Sequence, residues 1–346
     1  MPAVSALGRL DRPSRRQGIA ERWGPSQLAL TTPAATFDLV GRWSQCSGRT
    51  LRTAKKLIMS SHRAARADNG METIQMSEDP LFDRAWTHLQ VTREGAIALV
   101  RLDRPEARNA LNALMMRELT EIARLMRRRS DLQAVVLAGG PANFSAGADL
   151  GAIQERISAP TVLQTREAIM AGPDMCRAWE EIEAVTIAAV EGYCIGGACA
   201  LAVACDFRIM GEGAYMRLPE VPLGINMSWN SVPRITTLAG PSRAKRFVMF
   251  GEAADAATCL AWGMADEVTA TGEALAVARQ WAEKVAGLPP LPVRMTKEAV
   301  NAQANANHYA TSFMDRDQYL VTTRTGDFRE GVSAFFEKRK PDFKGD

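Results

Sequence analysis

The stretch 191-EGYCIGGACALAVACDF-207 decides how this chain is read. Gly196 and Gly197 open a run of small apolar residues that carries no charge until Asp206. Such a run reads as a buried helix. The glycines ahead of it leave main-chain N–H groups uncovered where a helix start already has unpartnered amides and a partial positive charge. Directly before it lies 186-TIAAVEG-192, short and continuously apolar, which reads as a covered strand. The same design occurs upstream, where 133-QAVVLAGG-140 runs into the small-residue turn 141-PANFSAGADL-150 and then into an expected helix start. Two such turns facing one another would set two backbone donors around one anionic oxygen. On turn chemistry alone they read equally well as two ordinary tight turns.

Working outward, 206-DFRIMGE-212 is a third apolar strand, and 88-HLQVTREGAIALVRL-102 alternates around a turn at Glu94-Gly95 as a hairpin does. The segment 112-NALMMRELTEIARLMRR-128 has apolar residues at helical spacing. After Ser242 the chain turns mostly helical, with polar starts and helical spacing in SRAKRFVMFG, DAATCLAWG, GEALAVARQWAEKVAG, PPLPVRMTKEAVNAQANA and FREGVSAFFEKRK. Continuous apolar strands alternating with helices predict an α/β core whose sheets are covered by helices. The expected organisation is a core over 71–270 and a helical region over 271–346.

The composition, 47% hydrophobic and 23% charged, is that of an ordinary globular protein. No window holds ~18 consecutive apolar residues, so no membrane span is expected. Of the six cysteines (Cys46, Cys176, Cys194, Cys199, Cys205 and Cys259) none forms a CxxC pair. Three sit in the apolar stretch, where buried free thiols and a reducing, cytoplasmic compartment are expected. The net charge of +3 is uneven, because residues 1–70 hold 12 Lys and Arg against 4 Asp and Glu. That basic segment, without amphipathic periodicity, is read as mostly disordered. It has the composition of a transit peptide, a nucleic-acid arm or an extension upstream of a start at Met71. The hairpin pattern soon after Met71 favours the last, and nucleic acid is not expected as a partner. His62, His88 and His308 lie outside every motif, and no His/Cys/Asp spacing resembles a metal site. The glycine pairs lead into neither GK[ST] nor a full GxGxxG.

The segments RPEARNALN, FSAGADL, GYCIGGACALAVACDFRI, LPEVPLGI and FREGVSAFFEKRKPDF occur in the order found in the enoyl-CoA hydratase/isomerase family, the crotonase superfamily, which the chain resembles from about His88 to Phe343. The resemblance implies an α/β crotonase-like spiral of ββα units with a helical C-terminal region that mediates trimerisation, trimers often pairing into hexamers. It implies an acyl-CoA substrate and no separate cofactor, coenzyme A being part of the substrate. It places an oxyanion hole for the thioester carbonyl on the N–H groups of Ala148 and Gly197. Coenzyme A contacts fall, by the same resemblance, on Ala107, Arg108, Ala146, Asp149 and Leu150, and on Phe335 and Lys338, positions that reach a neighbouring subunit's coenzyme A. Asp149 is expected to cap a helix start.

The chain also departs from the pattern. Hydratases of the family carry two glutamates. The first, three residues after the oxyanion-hole glycine, is here Ala200; the second survives as Glu220 in LPEVPLG. Family isomerases keep only the glutamate matching Glu220. The segment 221-VPLGINMSWNSVPRI-235 has Met227, Trp229 and Asn230 in place of a glycine-rich turn, and bulky side chains there reshape the acyl pocket and exclude water. The expected activity is isomerisation of 3-enoyl-CoA to 2-enoyl-CoA with Glu220 as the catalytic base. A divergent hydratase, a hydrolase or decarboxylase of the same fold, and a non-catalytic coenzyme A or RNA binder stay open.

Overall fold

The computed structural model of the chain describes residues 79–149 and 161–346. The basic segment 1–70, Cys46 and Leu150 lie outside the described residues. The hairpin is present as β1 (Leu89–Glu94) and β2 (Ile97–Leu102), antiparallel with Leu89 opposite Leu102. To β2 are added, all parallel, β3 (Ala134–Ala138), β4 (Val185–Val190), β6 (Phe207–Gly211) and β9 (Glu267–Thr269), giving a six-stranded sheet in the order β1-β2-β3-β4-β6-β9. A second sheet of three short strands, β5 (Tyr193–Ile195), β7 (Tyr215–Arg217) and β8 (Ala254–Asp255), lies in the order β5-β7-β8. The chain therefore visits the large sheet, then the small one, then a helix, and repeats. β4 is followed by β5 and the helix α4 (Gly197–Ala202), and β6 by β7. The turn after β3 joins the same layer through a parallel bridge between Ser145 and Cys194.

The strand period of two divides the core. Val135, Leu137, Ala188 and Val190 face one hydrophobic cluster, whereas Ala134, Val136, Ile187 and Ala189 face another on the opposite side. Helix α1 (Ala113–Met126) covers the first face. Asn112 caps it by accepting from the Met115 N–H, and Met115, Leu119, Ile122 and Met126 form its buried stripe. It packs on α3 (Ala171–Glu180), which follows the short α2 (Val162–Ala168); the Trp179 indole N–H donates to the Leu119 carbonyl at 3.1 Å.

The remaining helices are α5 (Ser231–Ala239), α6 (Pro241–Phe250), α7 (Ala256–Trp262), α8 (Ala274–Ala286), α9 (Pro290–Ala304), α10 (His308–Ser312), α11 (Asp315–Thr322) and α12 (Gly326–Glu337). Helix α8 belongs to the core. Its Ala274, Ala278 and Ala282, one turn apart, give a flat face that fits against the second side of the sheet. The all-helical region expected from 271 thus begins with a core helix, and the helices after it leave Leu291, Met295, Val300, Tyr309 and Phe313 more than half exposed. Cys176, Cys194, Cys199, Cys205 and Cys259 are free and buried, and burial pushes each thiol upward from its ordinary range. Among the described residues no helix is long and apolar enough to cross a membrane.

Candidate active site

The two glycine turns of the sequence meet. Gly147 adopts φ +88°, and a Cβ added to it would lie 2.4 Å from the Ile195 carbonyl oxygen and 3.4 Å from the Gly197 nitrogen. The first turn is bolted to the loop at 104–109. Ser145 donates its hydroxyl to the Asn109 carbonyl at 2.6 Å and accepts from the Gly147 N–H, while the Asn109 amide accepts from the Arg104 N–H and donates to the Phe144 carbonyl. The N–H of Leu111 donates to the Gly147 carbonyl, and that of Asp149 to the Leu111 carbonyl. Ala148 lies between them and Gly197 opens α4. Among the described residues neither amide donates to a protein acceptor, and both residues face one cavity of about 500 Å³.

That cavity gathers most of the expected site. Ala107, Arg108, Ala146, Ala148, Asp149, Gly197, Glu220 and Phe335 all wall it. Lys338 does not; it ends α12 in the left-handed conformation, φ +54°. The Asp149 carboxylate pairs with Arg104 at 2.6 Å; the helix start it was expected to cap falls after Asp149, outside the described residues. Its negative charge is thereby neutralised beside the cavity mouth.

Glu220 stands where β7 has ended and a single 3-10 turn, Val221–Leu223, begins. Its Oε1 comes so close to Gly196 that a Cβ there would sit 2.7 Å away, and Gly196 has φ +55°. The first glycine of the pair is thus fixed by both backbone conformation and the carboxylate. Glu220 Oε2 is out of solvent and, among the described residues, has no hydrogen-bond partner. Burial raises the carboxyl to about 7; its own backbone N–H and the Arg217 guanidinium pull weakly the other way. A carboxyl poised near neutrality can both take and return a proton. Arg217 lines the cavity, with its Nε donating to the Gly251 carbonyl at 2.7 Å.

The second glycine has an unexpected neighbour. A Cβ on Gly197 would fall 2.3 Å from the Trp229 six-membered ring, and one on Gly172 would fall 2.1 Å from the same indole. Trp229 is slotted between α3 and α4 with a left-handed backbone, φ +63°, followed by Asn230 at +54°. Arg234 holds this kink: its Nη1 donates to the carbonyls of Trp229 and Asn230, and its other edge makes two bonds to Glu180, at 2.9 and 3.0 Å. The Asn230 N–H donates to Asp315. Sequence reasoning marked Trp229 as bulky but missed Gly172, Arg234, Glu180 and Asp315. The only local signal was a glycine near a helix start, in 169-IMAGPDM-175.

A larger cavity of about 650 Å³ lies between α9 and the sheet, and its charged groups are paired: Lys297 with Asp206, Arg234 with Glu180, and Arg208 with Asp266.

Fold and site together define an α/β protein in which two backbone amides and a buried acid face one cavity. The family description enoyl-CoA hydratase/isomerase matches residues 92–346. A 2,3-dehydroadipyl-CoA hydratase of Escherichia coli is 33% identical over 75% of this chain and 99% of that protein. A short-chain-enoyl-CoA hydratase of Clostridium acetobutylicum is 30% identical over 72% of this chain and 94% of that protein. Among solved structures, an enoyl-CoA hydratase from Bacillus anthracis superposes with a TM-score of 0.60 at 29% identity, covering 75% of this chain and all of that one. One from Mycobacterium avium subsp. paratuberculosis reaches 0.67 at 23% identity, over 75% and all respectively, a likeness of fold. The chain belongs to the enoyl-CoA hydratase/isomerase family, and its α/β architecture is the crotonase spiral.

Proposed function

We propose that the protein isomerises 3-enoyl-CoA thioesters to 2-enoyl-CoA thioesters. The observation that carries this reading is the single available acid. Of the carboxylates walling the cavity among the described residues, Asp149 is paired with Arg104, which leaves Glu220. Ala200, where a second acid would stand, is fully buried and is not part of the wall. In the proposed reaction the thioester oxygen accepts from the Ala148 and Gly197 N–H groups. Glu220 removes a proton from carbon 2, and the C–H electron pair moves into the enolate. The pair on oxygen then re-forms the carbonyl, a double bond forms between carbons 2 and 3, and the former 3,4-bond takes the proton from Glu220 at carbon 4. No atom is gained or lost, so one carboxylate suffices.

The coenzyme A part is proposed to run past the backbone of Ala107, Arg108 and Ala146, with the Arg108 cation near the phosphates. Asp149, Leu150 and Phe335 would border it, and Lys338 would serve a neighbouring copy in a trimer or hexamer. The exposed apolar side chains of α9 to α12 support such an assembly. A second reading, a hydratase, is favoured by the names of the relatives above, which are hydratases. A parallel assay decides: purified protein is given a 3-enoyl-CoA and, separately, a 2-enoyl-CoA, and conjugated thioester absorbance is followed. The isomerase reading expects the band to grow with the first substrate and to persist with the second. Rapid loss of the band with the second and no growth with the first would support the hydratase.

A further inference from the structure

We propose that Trp229 sets the outcome of the reaction at this site, its indole occupying the ground on which a second acid and its water would act; this rests on the isomerase reading above. Residues 197 and 200 are one turn apart and share a face of α4. The indole lies against both Gly197 and Gly172, and residue 200 shares the face of α4 that Gly197 turns to the ring. Trp229 lines the cavity whereas Ala200 does not, although Ala200 follows the oxyanion glycine by a single turn. The missing carboxylate is therefore replaced by an apolar wall as well as by a methyl group.

The wall is held in place. Trp229 and Asn230 are both in the left-handed region, unfavourable for residues with a Cβ, and such a kink persists only where its surroundings enforce it. The Arg234 guanidinium donating to both carbonyls, its two hydrogen bonds to Glu180 and the Asn230 N–H donating to Asp315 supply that enforcement. Two glycines with no room for a Cβ complete the slot. An apolar ring packed on Gly197 would limit water's access to that N–H and so strengthen its bond to an enolate oxygen.

Hydration of a 2-enoyl-CoA puts a water hydroxyl on carbon 3 and its proton on carbon 2. Opening the wall should admit that water. The experiment compares wild type, Trp229→Ala, Gly172→Ala and the double variant, with thermal unfolding to establish that each is folded. Trp229→Ala is expected to raise hydration relative to isomerisation at least about tenfold, the ratio that ~1.4 kcal/mol of differential transition-state stabilisation supplies. Gly172→Ala, whose added methyl lands on the indole, should depress isomerisation by pressing the ring onto Gly197. The double variant should recover part of that loss, because the methyl then meets open space. A folded Trp229→Ala protein whose hydration is no faster than wild type overturns the inference. So does a Gly172→Ala defect that the second substitution leaves intact or deepens. Failure of the wild type to isomerise any 3-enoyl-CoA would instead remove the underlying reading.

Discussion

Glu220 is an acid kept from water, and its chemistry follows from that. With its carboxyl raised to about 7 by burial, the deprotonated base accumulates only as pH rises through neutrality. The rate constant kcat/KM for isomerisation should climb with an apparent pKa near 7 and level off above it; a midpoint near the ordinary glutamate value of 4.5 would mean the carboxyl is solvated. The same shift bears on stability with a definite sign. Between 4.5 and about 7 the folded chain holds this proton more tightly than the unfolded chain. Stability therefore falls as pH rises through that window, by up to about 3 kcal/mol from this one group. Glu220→Gln should remove this slope. In denaturant titrations its stability relative to wild type should improve between pH 5 and pH 8, while turnover drops by about 10²-fold or more. Equal pH dependence of stability in the two proteins would show that Glu220 ionises freely.

At the scale of elements, the strand-turn-helix units were legible because their signals are local. The apolar runs of β3, β4 and β6 and the glycines after them lie within a few residues of each other, as do the stripe and cap of α1. The strands of the second sheet, two or three residues long, are too short for a period to show in the sequence. The Trp229 slot was hidden for a different reason. It joins Gly172, Gly197 and Trp229, with Arg234 reaching back to Glu180, across separations that only the packed fold brings together. For Gly197 the family resemblance offered one reason, the expected approach of a thioester oxygen to its amide; the structure adds that Trp229 forbids a side chain there. The Arg234–Glu180 pair is nearly buried on the arginine side, so breaking it leaves a charge unpaired. Glu180→Gln is expected to cost about 3 kcal/mol or more and to raise the hydration fraction, since it frees the Trp229 kink. Lost stability with an unchanged product ratio would confine the pair to a structural role.

Over the whole molecule, helices α9 and α10 leave large apolar side chains uncovered, with Tyr309 72% and Leu291 66% exposed. We expect the 37.7 kDa chain to sediment as a trimer or hexamer, and Phe313→Asp to shift it toward smaller species; a monomer at micromolar concentration would contradict this. The family and its spiral could be read from five linked motifs in order, and the isomerase expectation from Ala200 and Glu220, whereas the packing of Trp229 could not, because it depends on which side chains the fold brings together. The most direct test of the central claim is the product formed by wild-type protein from a 3-enoyl-CoA, resolved chromatographically from its 2-enoyl and 3-hydroxy counterparts. The account predicts 2-enoyl-CoA as the product, with formation lost in Glu220→Gln. Accumulation of 3-hydroxyacyl-CoA, or full turnover without the Glu220 carboxylate, would contradict it.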